Sequence, residues 1–283
     1  MDCISPGKSG GLAMLWKEGT KIDIQNYSRH HIDSVIQLED QISLRFTGFC
    51  GHADPNHRNE SWNMLKRVGG MVNETWIIGG DFNAIVNETE KGGGRRKSRA
   101  LMDEFCNVIE ELSLVDIKTV KVWYIWVNNR EGSIMVKERL DRFMISAGDV
   151  VNFPYIETKV VRQSTSDHGA IILDTMRGKP KESCRDQRLN FKYECWAKDT
   201  EAKDIIQYAW KNNNMDVITK IGKVGQDLGQ WQVNRNKRMR FQIDKLKAKM
   251  NKIIGGPYKN NKMSELKEIR RKLGQLLDKE ECY

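Results

Sequence analysis

The stretch Trp76-Ile77-Ile78-Gly79-Gly80-Asp81-Phe82-Asn83 joins a buried-strand pattern to a polar end. Its apolar residues predict a strand that ends at two glycines, where a carboxylate and a carboxamide follow two positions apart. Because side chains alternate along an extended backbone, Asp81 and Asn83 are expected to face one target and Phe82 the core. A carboxylate can hold a water molecule or a hard cation, and an amide can donate to a phosphate oxygen. The alternative is an Asx turn that closes the strand.

The composition of the 283 residues is that of a globular protein. With 39% hydrophobic and 30% charged residues, the chain fits neither a disordered nor a membrane protein, and no apolar run approaches the roughly 20 residues that span a bilayer. The N-terminus lacks the basic and apolar stretches of a secretory signal, so a nuclear or cytoplasmic location is expected. The six cysteines form no Cys-x-x-Cys pair and are interpreted as free thiols in a reducing compartment.

The positive charge of the chain is concentrated in its second part. Residues 1–177 carry a net charge of −2, whereas residues 178–283 carry +11. We therefore expect a compact domain over residues 1–177 and a basic extension over 178–283 that contacts nucleic acid. The alternative for the extension is a helical spacer with a lysine-rich, solvated face.

Hydrophobic patterning predicts a layered α/β domain with largely antiparallel or mixed sheets. Helices are expected within residues 51–74 and over residues 99–113. The predicted strands include an antiparallel meander near the N-terminus and five later segments. They span residues 12–16, 21–27, 32–38, 42–49, 75–79, 114–117, 122–127, 139–145, 155–161 and 170–173.

Two further polar clusters interrupt the strands. In Lys137-Glu138-Arg139-Leu140-Asp141-Arg142, Leu140 is expected to face inward and Asp141 a cleft, the alternative being a charged edge strand. Ser164-Thr165-Ser166-Asp167-His168 precedes an apolar strand and offers a metal ligand and a base or transition-state donor. Its alternative is a surface turn.

A glycine-rich basic loop follows the Asp81 turn. It contains Gly92-Gly93-Gly94 and then Arg95, Arg96 and Lys97. These cations are predicted to approach a phosphate backbone, unless the loop is merely flexible.

Three motifs taken in order resemble the endonuclease/exonuclease/phosphatase superfamily, whose fold deoxyribonuclease I and apurinic endonucleases share. The motifs are Gly80-Asp81-Phe82-Asn83, Arg139-Leu140-Asp141 and Ser166-Asp167-His168. The resemblance covers roughly residues 7–175, and its narrower form is to the endonuclease domain of plant LINE-type retrotransposons. That narrower likeness also uses Ser9-Gly10-Gly11-Leu12-Ala13, Thr47-Gly48-Phe49-Cys50-Gly51 and Asn128-Asn129-Arg130-Glu131-Gly132.

The resemblance implies a four-layered α/β sandwich and a phosphodiesterase that uses Mg²⁺ to nick DNA, with a reverse transcriptase domain in the full element. By the same resemblance, Asp81 orients or deprotonates the attacking water and Asn83 holds the phosphate. Asp167 is a metal ligand, His168 contacts the scissile phosphate, and Asp141 orients His168.

The sequence departs from the family pattern in two places. The family has an Asn and a metal-binding Glu on strands upstream of the segment matching Gly10-Gly11-Leu12, so the chain is expected to be an N-terminally truncated copy. Where the family often has a tyrosine near the phosphate, this chain has Cys50, a weaker donor. Two hypotheses remain, an active endonuclease and an inactive relic that binds nucleic acid or protein through its basic tail. A phospholipid or inositol phosphate substrate fits the fold but not the retroelement motifs.

The tail carries helical patterns. Apolar residues from Trp196 to Ile221 predict one or two short helices. Met239, Ile243, Leu246, Met250 and Ile253 then form a heptad seam that stops at Gly255-Gly256-Pro257 and resumes at Leu266. We expect a helical hairpin whose lysines track a phosphate backbone or merely face solvent.

Overall fold

The chain forms two compact units, Met1–Lys179 with Ile254–Asn260 and Pro180–Ile253 with Asn261–Tyr283. A computed structural model describes residues 11–38, 43–119, 122–128, 135–175, 199–211, 216–256 and 262–281. Several parts of the predicted motifs, including Ser9-Gly10, Asn129 to Gly132, Trp196 and Pro257, therefore lie outside the described residues. So do four of the six cysteines, while Cys50 and Cys106 are free thiols.

The first unit is a mixed α/β domain, as predicted, built on a six-stranded sheet with the order β1-β2-β3-β4-β9-β6. The neighbours β3 and β4 are parallel, and all other neighbours in this sheet are antiparallel. Two smaller sheets have the orders β5-β8-β7 and β10-β11. The described strands are β1 (Ile22–Ser28), β2 (His31–Gln37), β3 (Ser43–Cys50), β4 (Thr75–Asp81), β5 (Lys91–Gly92), β6 (Leu114–Ile117), β7 (Trp126–Val127), β8 (Lys137–Glu138), β9 (Asp141–Ser146), β10 (Glu157–Val161) and β11 (Ala170–Asp174).

The antiparallel meander is confirmed in β1, β2 and β3, but the strand predicted at residues 12–16 is wrong. Residues 11–17 form no strand, and Leu15 and Trp16 are 90% and 51% exposed. A strand needs a pairing partner, and no described strand pairs with this segment. Apolar composition alone therefore misplaced it.

Two helices cover one face of the six-stranded sheet. The helix α1 (Arg58–Gly69) makes the crossover between the parallel strands β3 and β4, and α2 (Arg99–Glu111) lies where its apolar spacing predicted. Trp62 of α1 stacks on Phe105 of α2 with ring centroids 5.0 Å apart, and both contact the strand residues of the core. The opposite face packs against Ile171 and Leu173 of β11 and against apolar residues of the segment that precedes β10, including Val150, Phe153 and Ile156.

Two glycines of β4 allow close approach to the neighbouring strands. Gly80 has φ +146°, and a Cβ there would lie 2.0 Å from the carbonyl oxygen of Phe49. Gly79 is paired with Phe143 of β9, and its Cβ would lie 2.3 Å from the Phe143 ring. The glycine pair thus lets β4 carry Asp81 between two tightly packed strands.

Replacing Gly80 by Ala will destabilise the protein by about 3–5 kcal/mol, because strain at positive φ adds to a backbone clash. Urea unfolding measures the change. Gly19→Ala is the matched control, because Gly19 has φ +86° but no atom within 4 Å of the added Cβ. The control should cost only about 1 kcal/mol. Equal costs at the two positions would contradict the clash.

Two arginines that flank Asp141 are completely buried. Arg139 and Arg142 are both 0% exposed. Each donates to Glu90, at 2.9 Å from Arg139 and 3.0 Å from Arg142, and each also reaches Asp116. The edge-strand interpretation of this segment is therefore wrong, because these charges point into the domain and are paired there.

The second unit is helical, as predicted. Its described helices are α3 (Thr200–Trp210), α4 (Val217–Gly255) and α5 (Lys262–Glu281). Lys249 lies 2.8 Å from Glu265, and Arg240 lies 3.7 Å from Glu280, so α4 and α5 run antiparallel. The residues predicted to form a short helix around Ile218 belong instead to the long α4, since no proline or turn signal separates them from its seam.

The apolar seam of α4 is mostly buried. Met239, Ile243, Met250 and Ile253 are buried, whereas Leu246 is half-buried. Within the described ranges, no helix combines the length and the apolar character needed to cross a membrane.

Candidate active site

Strand order brings the candidate residues to one edge of the main sheet. Asp81, the last residue of β4, is paired with Cys50 of β3 on one side and with Asp141 of β9 on the other. His168 reaches the same place from the loop that precedes β11. Residues far apart in the sequence therefore meet because the strands that carry them are neighbours.

A turn after β4 fixes the Asp81 carboxylate. The Asn83 backbone N–H donates to Oδ1 of Asp81 at 2.9 Å, and the Asn83 side-chain amide donates to Oδ2 at 2.9 Å. This is an Asx turn, so the turn and the site are one structure and not alternatives. Asn83 has φ +54°, so the backbone is not extended as assumed, but Phe82 is fully buried as predicted.

Asn83 uses its amide donors inside the site. Its Nδ2 donates to Asp81 and also to the carbonyl oxygen of Gly51 at 3.0 Å. Both amide hydrogens are therefore directed at protein oxygens. In this arrangement Asn83 orients Asp81, and a phosphate would have to displace one of these bonds.

His168 and Asp141 form a hydrogen-bonded pair. Nδ1 of His168 lies 2.8 Å from Oδ2 of Asp141, and the His168 backbone N–H donates to Ser166 Oγ at 3.1 Å. Burial by itself lowers the pKa of His168, but the hydrogen bond and the charge of Asp141 outweigh it and raise the pKa above its usual value. The ring is thus held in one orientation, with Nε2 on its other side.

The site concentrates negative charge in a partly buried place. Burial, followed by the charge of Asp141, raises the pKa of Asp81 to about 6. Burial, followed by the charges of Asp81 and Asp141, raises the pKa of the Cys50 thiol to about 11. The thiol is therefore protonated at neutral pH and can serve only as a weak hydrogen-bond donor.

The donor set at this edge fits a divalent cation. Asp81, Asp141 and His168 each offer one ligand atom, and these atoms lie within 4.8 Å of one another. Carboxylate oxygens are the ligands that hard divalent cations prefer, and a cation would relieve the repulsion that raises the pKa of Asp81. Within the described parts of the chain, no other group of three metal-binding side chains is this compact.

Asp167 lies beside this cluster without belonging to it. Its Oδ2 accepts a hydrogen bond from the Trp126 indole at 2.9 Å, and its charge contributes to the raised pKa of His168. The structure thus joins Asp81 to Asn83 and Asp141 to His168 by hydrogen bonds. It brings Asp81, Asp141 and His168 within 4.8 Å of one another and leaves Asp167 outside this cluster.

The basic loop is anchored close to the strand that leads to Asp141. Arg95 and Arg96 are exposed, while Lys97 is half-buried and lies 2.8 Å from Glu138. Glu138 stands three residues before Asp141 and also pairs with Lys91. Lys97 therefore holds the base of the loop, and Arg95 and Arg96 are the side chains presented to solvent.

The sequence interpretation missed Glu90, Asp116 and Trp126, which support the site. Glu90 and Asp116 are separated by 49 and 23 positions from Arg139, so no local pattern could pair them. An available signal for Glu90 was its position beside the glycine-rich loop. No such signal was available for Trp126, because an aromatic residue in a strand pattern predicts a core position.

Three kinds of comparison were made with known proteins: family models, curated proteins and solved structures. No family model matches the chain, and no curated protein matches it. Among solved structures, the endonuclease domain of TRAS1, a telomere-specific non-LTR retrotransposon, is 17% identical, with a TM-score of 0.47 over 58% of this chain and 73% of that chain. The 3'-5' exonuclease NExo from Neisseria meningitidis is 15% identical, with a TM-score of 0.42 over 54% and 70%.

An endonuclease/exonuclease/phosphatase family protein from Leptotrichia buccalis is 14% identical, with a TM-score of 0.36 over 56% of this chain and 61% of that chain. These three solved structures are what the chain is similar to, each at no more than 17% sequence identity.

Proposed function

We propose that the first unit is a divalent-metal-dependent phosphodiesterase of the DNase I-like, four-layered kind that nicks DNA. The observation that carries the proposal is the approach of the hydrogen-bonded His168–Asp141 pair to within 4.8 Å of Asp81, where the donor set fits a cation. The ordered motifs around Asp81, Asp141 and His168 support a LINE-type retroelement origin of the plant kind, with a reverse transcriptase domain in the same element.

The side chains of the site act together in the proposed hydrolysis. Asp81, whose carboxylate is oriented by Asn83, positions and deprotonates the attacking water. His168, held by Asp141, donates to the scissile phosphate and stabilises its developing charge.

The carboxylates of Asp81 and Asp141, with Asp167 alongside, would hold the cation, for which we propose Mg²⁺. When bound, the cation supplies Lewis-acid stabilisation of the phosphate charge.

The test is the nicking of supercoiled plasmid by the purified full chain, with Mg²⁺ and with EDTA. Metal-dependent nicking should fall about 10³-fold in His168→Ala. His57→Ala is the control, because His57 is an exposed histidine whose side chain pairs with Glu60, three residues away. Nicking that survives in His168→Ala, or a folded protein that does not nick, would overturn the proposal.

Arg95 and Arg96 are proposed to contact the DNA backbone beside the site. They are exposed on a loop whose base is tied to Glu138, and guanidinium groups bind phosphate oxygens well. The contribution would be sequence-independent affinity and not chemistry.

A second candidate function is nucleic-acid binding by an inactive relic. Two observations favour it. Among the described residues, no glutamate belongs to the candidate metal cluster. The endonuclease/exonuclease/phosphatase superfamily, which the sequence motifs resemble, has a metal-binding glutamate. The helix α4 also exposes several basic side chains, including Lys237, Lys245 and Lys252.

The binding of the full chain to DNA should weaken steeply between 50 and 200 mM salt if α4 contacts phosphates. Replacing Lys237, Lys245 and Lys252 by Gln should reduce the slope of log K against log salt by about 2–3. Fluorescence anisotropy measures both quantities. The control replaces three exposed cations of the first unit, Lys17, Arg67 and Lys159, by Gln. Equal slopes for the two triple variants would exclude α4 as the binding surface.

A further inference from the structure

The short strand β7 lies between the two segments that supply Asp141 and His168. On one side Trp126 pairs with Glu138 and Val127 with Lys137, and the Ile125 N–H donates to the Glu138 carbonyl at 3.0 Å. Glu138 precedes Asp141 by three residues along the chain.

On the other side, the same strand holds the loop that carries His168. Trp126 forms an isolated antiparallel bridge with His168. The Val127 N–H donates to the Asp167 carbonyl at 3.0 Å, and the Gly169 N–H donates to the Ile125 carbonyl at 2.9 Å. The 2.8 Å contact between His168 and Asp141 is therefore set by their common neighbour.

The side chain of Trp126 adds a contact that the backbone does not require. Its indole N–H donates to Oδ2 of Asp167 at 2.9 Å. A tryptophan indole can only donate, so this bond engages Oδ2 of Asp167 and leaves Oδ1 for another partner. Groups that orient a metal-binding carboxylate in this way typically change metal affinity 10–100-fold when they are replaced.

We propose that Trp126 is a positioning residue of the site, whose indole N–H holds Asp167 so that its carboxylate is available to a divalent cation beside Asp81 and Asp141. This inference rests on the proposed metal-dependent function. Trp126 touches neither the substrate nor the cation, and it acts through Asp167.

The chain contains a matched control for this contact. The indole N–H of Trp123 donates to the Thr89 carbonyl, also at 2.9 Å, and both tryptophans are half-buried. Trp126→Phe and Trp123→Phe therefore each remove one indole hydrogen bond of 2.9 Å. Only the bond lost in Trp126→Phe is made to a carboxylate of the site.

The experiment is a titration of the full chain with Mg²⁺ and with Mn²⁺, followed by thermal unfolding, so that no cleavage is needed. The cation concentration for half-maximal stabilisation should rise about 10-fold in Trp126→Phe and stay unchanged in Trp123→Phe. In parallel, the indole ¹⁵N–¹H resonance of Trp126, assigned by its loss in Trp126→Phe, should move in Asp167→Asn and on addition of the cation.

Equal cation responses of the two Phe variants would overturn the inference. So would an indole resonance of Trp126 that keeps its position in Asp167→Asn. If the unsubstituted protein shows no cation-induced stabilisation, the inference also falls. Failure of the proposed function has a different signature, because a chain that binds the cation through Asp167 but does not nick plasmid removes only the enzymatic proposal.

Discussion

Replacing Asp81 by Asn is expected to abolish cleavage and to stabilise the protein at neutral pH. The variant loses the carboxylate that deprotonates water, so plasmid nicking should fall by about 10³-fold. Above pH 6, the native chain keeps an ionised carboxylate in a partly buried site beside Asp141. Asparagine has no charge there, so the free energy of unfolding should rise by about 2–3 kcal/mol at pH 7.

The sign of the pH dependence follows from the raised pKa. The folded protein binds a proton at Asp81 with a pKa of about 6, against an ordinary value of 3.8. The protonated carboxyl contributes stability that is fully present below about pH 4 and is lost as the pH rises through about 6. The gain in Asp81→Asn should therefore be near zero at pH 4 and largest above pH 6.5.

Urea unfolding at several pH values, without divalent cations, measures this difference. Asp103→Asn is the control, because the Asp103 side chain is 64% exposed and pairs with Arg99 at 3.8 Å; its effect should stay within about 0.5 kcal/mol. Added cation should stabilise the native chain but not Asp81→Asn. A variant less stable than the native chain at pH 7 would show that hydrogen bonds with Asn83, and not charge repulsion, govern this carboxylate.

The second large effect is expected at Glu90. Glu90 is 1% exposed and accepts hydrogen bonds from the buried guanidinium groups of Arg139 and Arg142. Glu90→Gln leaves two buried positive charges with only Asp116 as a charged partner in this network. Removing one partner from such a network costs about 3–5 kcal/mol.

Urea unfolding again measures the cost. Glu111→Gln is the control, because Glu111 is 56% exposed in its ion pair with Lys66 and should change stability by less than about 1 kcal/mol. Because Arg139 and Arg142 flank Asp141, the Gln variant should also weaken nicking. A cost at Glu90 no larger than that at Glu111 would mean that water, and not Glu90, compensates the arginines.

Local patterns were sufficient for most elements of the first unit. The alternation in β1 to β3 and the helical spacing of α2 predicted those elements within a few residues, and Asp81 and Phe82 lie at the strand end where the glycines placed them. The run at 12–16 misled because apolar composition does not show whether a pairing partner exists.

The support of the site could not be read from local patterns. The burial of Arg139 and Arg142 depends on Glu90 and Asp116, which the fold brings from other segments. The hydrogen bond that the Asp167 carboxylate accepts likewise comes from Trp126, 41 positions away. Sequence identified the groups that carry chemistry by residue type, whereas the groups that orient them are ordinary residues defined only by contact.

The pairing of Gly79 with Phe143 has a consequence for strand register. Like charges placed directly opposite each other destabilise an antiparallel pair, so the repulsion between Asp81 and Asp141 favours a slip of β9 along β4. A slip of two residues would leave every side chain of β9 on the same face of the sheet but would bring Phe143 opposite Ile77 or Asp81. The Phe143 ring fits only opposite a residue without a Cβ, which is Gly79. The absence of a side chain at Gly79 therefore keeps the mutually repelling carboxylates of Asp81 and Asp141 aligned even without a cation.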